Sequence, residues 1–142
     1  MTNKLTAASN IIINASVSKV WKALTDPAQI KEYLFGTNIT SEWKKGSPIT
    51  YEGEWQGKKY KDKGVIIDII PEKLLHTTYW SSMSGNEDKS ENYNNVIYKL
   101  QPSGGGTLVT ISQDNIADEA GVKHMQENWG TVLNSMKELL EK

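Results

Sequence analysis

The sequence predicts an α+β fold of two layers, in which a curved antiparallel sheet wraps around a long C-terminal helix and two short helices follow the first strand. Apolar and polar residues alternate from Ile49 to Gln56, which is the period of a strand with one buried face. Further strand-like segments separated by turns fill the middle of the chain. From Asp118 to Leu140, apolar residues recur every three or four positions, which is typical of an amphipathic helix that packs on a sheet.

The first part of the chain predicts a strand and two capped helices. The β-branched segment from Leu5 to Ile13 is typical of a strand. Ser16 is a good N-cap for a first helix, because the apolar residues that follow it have helical spacing. Asp26 is a good N-cap for a second helix, since Pro27 suits the first helical position and Gln29 occupies the position of a capping-box partner.

Five strands are predicted between the second helix and the C-terminal helix. Turns and loops rich in Pro, Gly and polar residues separate them, at 56–58, 71–73, 81–92 and 102–106. In the strand from Tyr60 to Ile70, the alternation about Asp68 predicts which face is buried. The inward residues of that strand are predicted to be Val65, Ile67 and Ile69.

Composition excludes several classes of function. The 142 residues fit one domain, expected over residues 1–142, and the absence of Cys excludes disulfides, thiolate metal sites and Cys nucleophiles. A net charge of -1 lacks the electrostatic footprint of a nucleic-acid binder. No apolar stretch approaches the roughly 20 residues of a membrane span, and the N-terminus lacks the apolar core of a signal peptide. We therefore expect a cytoplasmic protein.

Several segments together carry a family resemblance, and they extend over essentially the whole chain. They are INASVSKVWKALTDP at 13–27, YLFG at 33–36, YEG at 51–53, GTL at 106–108 and WGTVL at 129–133. Their order and spacing resemble the START-like (SRPBCC) superfamily, and in particular the homologues of the activator of heat-shock protein 90 ATPase. One departure is Val17, where many relatives have Pro. The resemblance implies a helix-grip fold, whose members bind lipids, hormones or polyketides and in a few cases catalyse.

The resemblance also implies a ligand cavity between the concave sheet face and the terminal helix. The residues predicted to bind a ligand there are Tyr51, Trp55, Ile67, Tyr79, Tyr98, Met125, Trp129 and Leu133. Such a set is typical of an apolar pocket with a few polar tips, although periodic apolar residues also simply fill cores. Trp129 is the preferred pocket residue, because a large indole within an aliphatic stripe either sets the cavity volume or plugs the cavity.

No catalytic residue, metal ligand or cofactor is predicted. His76 lies in a strand and His124 on the terminal helix, without metal-ligand spacing between them. Glu52 and Glu54 share a strand face that is predicted to be solvent-exposed, so paired-carboxylate chemistry is not expected there. Asp68, flanked by Ile residues, is the better candidate for a buried acid, although an outward position also fits the pattern.

Three functions compete on this sequence. The first, which we favour, is binding of a small apolar or aromatic molecule in the cavity. The second is a protein-interaction module with a chaperone as partner, and it predicts a filled cavity. The third is an enzyme of the polyketide cyclase or hydrolase type, for which the sequence offers no acid–base pair. The ligand and the oligomeric state are not predicted.

Overall fold

The computed structural model describes residues 5–81 and 87–142, apart from the side chain of Trp55. Within that part of the chain, seven strands and three α-helices are present. The strands are β1 (Leu5–Ile13), β2 (Asn38–Ser41), β3 (Pro48–Trp55), β4 (Lys58–Ile70), β5 (Leu74–Tyr79), β6 (Asn94–Ser103) and β7 (Gly106–Ile116). The helices are α1 (Val17–Thr25), α2 (Pro27–Tyr33) and α3 (Glu119–Leu140), and a short 3-10 turn spans Ser90–Asn92.

The strands form one antiparallel sheet in the order β1-β7-β6-β5-β4-β3-β2. The predicted α+β architecture is confirmed, with two short helices after β1 and the long helix α3 at the end of the chain. Strand β2 was not predicted. Its four residues contain one apolar side chain, Ile39, so they carry no readable alternation, and pairing with β3 defines the strand.

The helix caps follow the predicted chemistry closely. Ser16 and Asp26 cap α1 and α2, and their side chains accept backbone N–H groups that the helix leaves unpaired. Gln29 differs from the capping-box prediction, because its amide N–H donates to the Asp26 carboxylate at 3.1 Å, whereas a capping-box glutamine accepts the backbone N–H of the N-cap residue. Helix α3 begins after Asp118, whose carboxylate accepts the Gly121 N–H at 2.7 Å.

The C-terminal end of α3 is tied to the first elements of the chain. Lys19 Nζ donates to the Leu140 carbonyl at 2.9 Å, which satisfies an acceptor that the helix end leaves open. The Glu141 carboxylate accepts the Asn14 backbone N–H at 2.8 Å and pairs with Lys137. Those two hydrogen bonds, the Asn14 bond first, lower the pKa of Glu141. The buried residues of α3 are Val132, Leu133, Met136 and Leu140, all in its second half.

The predicted inward face of β4 is wrong at Val65 and Ile67 and fits only Ile69, the cross-strand partner of buried Leu75. Val65 and Ile67 are 39% and 42% exposed, whereas Ile66 is fully buried. The pairing of β4 with β5 shifts register between Ile66 and Asp68. Such a bulge adds one residue and reverses which positions face inward. The sequence prediction took Asp68 as an outward residue and extended a strict alternation toward the start of the strand. The bulge interrupts that alternation, so the residues before it were assigned to the wrong face.

Candidate ligand cavity

A cavity of about 510 Å³ lies between the inner face of the sheet and the first half of α3, and it opens to solvent on one side. Its wall is mainly aromatic. The rings belong to Phe35, Tyr51, Tyr60, Tyr79, Tyr98 and Trp129, the aliphatic side chains to Leu34, Val96, Met125 and Val132, and the polar groups to Thr37, Glu54, Asp62, Gln113 and Asn128. This volume and this mixture are typical of sites that hold small organic molecules.

Most of the residues predicted from the sequence lie in this wall. They are Tyr51, Tyr79, Tyr98, Met125 and Trp129. The side chain of Trp55 lies outside the described residues. Ile67 is on the opposite face of the sheet, for the reason given above, and Leu133 is 1% exposed within the hydrophobic core rather than in the cavity wall. Leu133 lies four residues after Trp129 on α3, beyond the part of the helix that covers the cavity.

One end of the cavity is built around a buried acid, Asp62 of β4. Its side chain is only 7% exposed, and the Tyr79 hydroxyl donates to Oδ2 at 2.6 Å. Tyr51 is the partner of Asp62 across the β3–β4 pair, and its ring meets the Tyr79 ring edge-on at 5.4 Å. Asp62, Tyr51 and Tyr79, the acidic end of the cavity, therefore come from three adjacent strands.

The part of the cavity wall beside β6 and β7 is fixed by Trp129 of α3. Its indole N–H donates to Gln113 Oε1 at 3.0 Å, and its ring meets Tyr98 edge-on at 6.0 Å. Edge-on ring pairs and a satisfied indole N–H are the arrangements that hold a half-buried tryptophan in one orientation. Trp129 thus forms part of the wall and leaves the cavity open.

A third group of contacts lies where the segment after α2 crosses β4. The hydroxyls of Thr37 and Tyr60 lie 2.6 Å apart, within hydrogen-bond distance. Gly53 is the cross-strand partner of Tyr60, and a Cβ atom at Gly53 would lie 2.3 Å from the Tyr60 hydroxyl. Because Gly53 has no side chain, the Tyr60 ring folds over the strand and reaches the cavity wall.

Three tyrosines of the cavity, Tyr51, Tyr79 and Tyr98, remain protonated near neutral pH. Burial raises the pKa of Tyr51 and of Tyr98 above the ordinary tyrosine value. Burial, followed by the hydrogen bond to Asp62, raises the pKa of Tyr79 in the same way. A raised pKa means that the neutral phenol is the stable form, so these hydroxyls act as hydrogen-bond donors and acceptors and not as phenolate bases.

Several residues of the wall were missed by sequence reasoning. Asp62 lies within a Lys-rich segment that is typical of an exposed hairpin, and the polar residues Thr37 and Gln113 carry no apolar signal. The position of Asp62 could have been inferred from alternation, because Tyr60, Asp62 and Gly64 are two residues apart and therefore face the same side of β4. The bulge further along the strand concealed that alignment.

The other titratable residues weighed from the sequence lie away from the cavity. His76 follows buried Leu75 on β5 and points to the opposite face, where its Nε2 is 2.9 Å from Asn95 Oδ1. Asp68 is half-buried and accepts its neighbour's backbone N–H, so the buried acid is Asp62 and not Asp68. Glu52 is exposed and pairs with Lys61 at 3.5 Å, whereas Glu54 lines the cavity mouth.

Two further features were sought in residues 5–81 and 87–142. No cluster of three or more His, Cys, Asp or Glu side chains is close enough there to hold a metal ion. No helix in that part of the chain is both long enough and apolar enough to cross a membrane.

A curved sheet that grips a C-terminal helix over an aromatic cavity defines the helix-grip class of proteins. Comparison with known families refines this class. The family model described as Activator of Hsp90 ATPase homolog 1-like protein matches residues 14–141. The chain therefore belongs to the Activator of Hsp90 ATPase homolog 1-like family. Among proteins of curated function, none matches this chain.

Solved structures of similar proteins show the same fold. A Cytophaga hutchinsonii protein is 42% identical over 99% of this chain and 97% of its own, with a TM-score of 0.87. The Aha1 dimer from Colwellia psychrerythraea is 22% identical over 96% of both chains, with a TM-score of 0.76. DynU16, described as a putative protein in the dynemicin biosynthetic locus, is 16% identical, and 96% of this chain matches 47% of that one with a TM-score of 0.79.

Proposed function

We propose that this protein binds a small apolar or aromatic molecule in the cavity between the sheet and the first half of α3. The observation that carries the proposal is the open cavity of about 510 Å³ with an aromatic wall. Side chains that only filled the core would pack against one another, as protein interiors do, and would not line an open space of this size. The wall also carries hydroxyl, amide and carboxyl groups, which orient a ligand that the rings hold.

The orientation of the wall supports the same function. The rings of Tyr98 and Trp129 meet edge-on and are fixed by the hydrogen bond to Gln113, so they lose little freedom when a ligand packs against them. Tyr51 and Tyr79 are neutral, which favours binding through packing and hydrogen bonds.

The test is binding of a neutral aromatic probe, naphthyl-ethanol, measured by calorimetric titration and by the rise in melting temperature. A ligand that binds only the folded state stabilises it by about 2.7 kcal/mol at a hundred times its Kd. Met125→Trp places a larger ring in the cavity, and we expect it to weaken probe binding about tenfold or more. Ile67→Trp adds the same ring on the opposite face of the sheet and is expected to leave binding unchanged.

The competing function is a protein-interaction module with a chaperone as partner. Family membership suggests it, and the exposed apolar side chains of Val65, Ile67 and Ile70 on the outer side of β4 favour it. A protein that binds no probe but captures a purified chaperone through this face would contradict the cavity proposal. Probe binding that Met125→Trp removes and Ile67→Trp preserves would support it.

Phe35 at the cavity mouth offers a variant with little structural cost. Its ring is 65% exposed and its φ is 55°, a left-handed conformation that a non-glycine residue adopts at a cost of about 1–2 kcal/mol. Phe35→Gly removes the ring and relieves this strain. We expect the free energy of unfolding to change by less than about 1 kcal/mol, and probe affinity to fall at least about threefold.

Gln56 provides the matched control for this variant. It has a φ of 50° and is followed by Gly57, just as Phe35 is followed by Gly36, but it does not line the cavity. Gln56→Gly should therefore relieve similar strain and leave probe affinity unchanged in the same titration. Equal affinities for Phe35→Gly and the wild type would remove Phe35 from the binding site.

A further inference from the structure

The charge of the cavity wall is one-sided. Among the described residues that line it, Asp62 and Glu54 are acids and none is a Lys. The chain has 16 positively charged residues, all of them Lys. A wall without Lys is therefore a feature of the cavity and not of the overall composition. Asp62 is 7% exposed, which means that its charge acts in surroundings of low dielectric constant.

The lysines on either side of Asp62 in the sequence contact acids on other elements. Lys61 lies 3.5 Å from Glu52, and Lys63 pairs with Asp88. They alternate with Asp62 along β4, which directs adjacent side chains to opposite faces of the sheet. The strand therefore presents an acid to the cavity and cations on its other side.

The surroundings of Asp62 suit a positive charge in a second way. Tyr51 is the cross-strand partner of Asp62 and Tyr79 donates its hydroxyl to it, so both rings border the space beside the carboxylate. Aromatic rings attract an ammonium group that packs on their faces. The Tyr79 hydroxyl donates to Oδ2, so the Asp62 carboxyl group is the acceptor in this contact. The carboxylate would repel an anionic group placed at this end.

We infer that the molecule held in this cavity is an apolar amine, with its ammonium group at the acidic end formed by Asp62, Tyr51 and Tyr79. Its apolar body lies against Tyr98 and Trp129. This inference rests on the proposed function and adds the chemical class of the ligand. A hydrogen-bonded ion pair in a cavity contributes more than a neutral hydrogen bond, so the positive charge raises the affinity and sets the orientation.

The experiment compares three probes with one ring system: naphthyl-ethylamine, naphthyl-ethanol and naphthyl-propionate, which are cationic, neutral and anionic at neutral pH. Calorimetric titration of the wild-type protein should rank them in that order, with the amine about tenfold or more tighter than the alcohol. Asp62→Asn keeps an acceptor for the Tyr79 hydroxyl and removes the charge. It should bring the amine and the alcohol within about threefold of each other.

Two variants on β3 complete the design. Glu54→Gln removes the charge at the exposed cavity mouth and should reduce amine affinity by less than about threefold, because exposed ion pairs contribute little. Glu52→Gln, on the same strand but outside the cavity, should leave all three affinities unchanged. The wild-type ranking requires no variant, so it remains decisive if Asp62→Asn fails to fold.

Each outcome decides one of the two proposals. An alcohol that binds as tightly as the amine would overturn the charge inference and leave ligand binding supported. An amine preference that survives in both Asp62→Asn and Glu54→Gln would also overturn it. Failure of all three probes to bind would contradict the cavity function itself, and a preference abolished by Asp62→Asn alone would support the inference.

Discussion

Gly64→Ala is expected to destabilise the protein by about 3 kcal/mol or more, at or above the upper end for overpacked interiors. A Cβ atom at Gly64 would lie 1.8 Å from the Thr78 carbonyl oxygen and 2.6 Å from its carbonyl carbon. These are backbone atoms of the adjacent strand β5, so no side-chain rotation relieves the contact. Relief requires that β4 and β5 separate between the Lys63–Trp80 bridge and the Ile66–Thr77 pair, which disrupts the middle of the sheet.

Urea denaturation followed by circular dichroism measures this effect, and Gly53→Ala on β3 is its matched control. There the added Cβ meets the end of the Tyr60 side chain, at 2.3 Å from its hydroxyl, and a side chain moves more readily than a backbone. We expect a cost of about 1–2 kcal/mol and loss of the Tyr60–Thr37 contact. Equal stability of the wild type and Gly64→Ala would contradict the close approach of β4 and β5.

The second large effect is expected on α3, where two neighbouring apolar residues have opposite roles. Leu133 is 1% exposed in the core, so Leu133→Ala should cost about 2–5 kcal/mol. Trp129 is larger but half-buried, and one side of its ring faces the open cavity. Trp129→Ala should therefore cost less than the roughly 3–5 kcal/mol that removal of a packed aromatic ring entails.

The comparison uses the free energies of unfolding of both variants and the binding of naphthyl-ethanol. Leu133→Ala should weaken folding and leave probe affinity within about threefold, since Leu133 does not line the cavity. Trp129→Ala should weaken probe binding more than it weakens folding. A larger loss of stability for Trp129→Ala than for Leu133→Ala would mean that the indole is a core residue that fills the cavity.

The sequence was sufficient for the architecture because local chemistry determines it. Ser16 and Asp26 are caps in any context that lets a helix follow, and the apolar stripe of α3 requires a sheet to cover it. The boundaries of α3 were therefore predicted within one residue. Strand β2 could not be predicted, because its pairing with β3 is a property of the tertiary structure.

Sequence reasoning named aromatic residues that line the cavity, but it named none of the polar residues that line it. Tyr98 and Trp129 lie on elements with regular alternation, so their faces are readable from the sequence. Asp62 precedes a bulge and Ile67 lies within it, and the sequence alone does not reveal where one residue is added to a strand. Because of this one extra residue in β4, Asp62 faces the cavity although the sequence predicted it outside, and Ile67 faces outward although the sequence predicted it inside.

The unequal attachment of α3 has a consequence for how the protein admits a molecule. Its last turn is held by two contacts: Lys19 donates to the Leu140 carbonyl, and Glu141 accepts the Asn14 backbone N–H. All buried side chains of the helix follow Trp129. The first half contributes Met125, Asn128 and Trp129 to the cavity wall and no buried residue. Local opening costs least where few apolar contacts are lost, so we expect this half of the helix to separate from the sheet more readily than the second half. A molecule bound in the cavity would add contacts beneath the first half and hold it against the sheet.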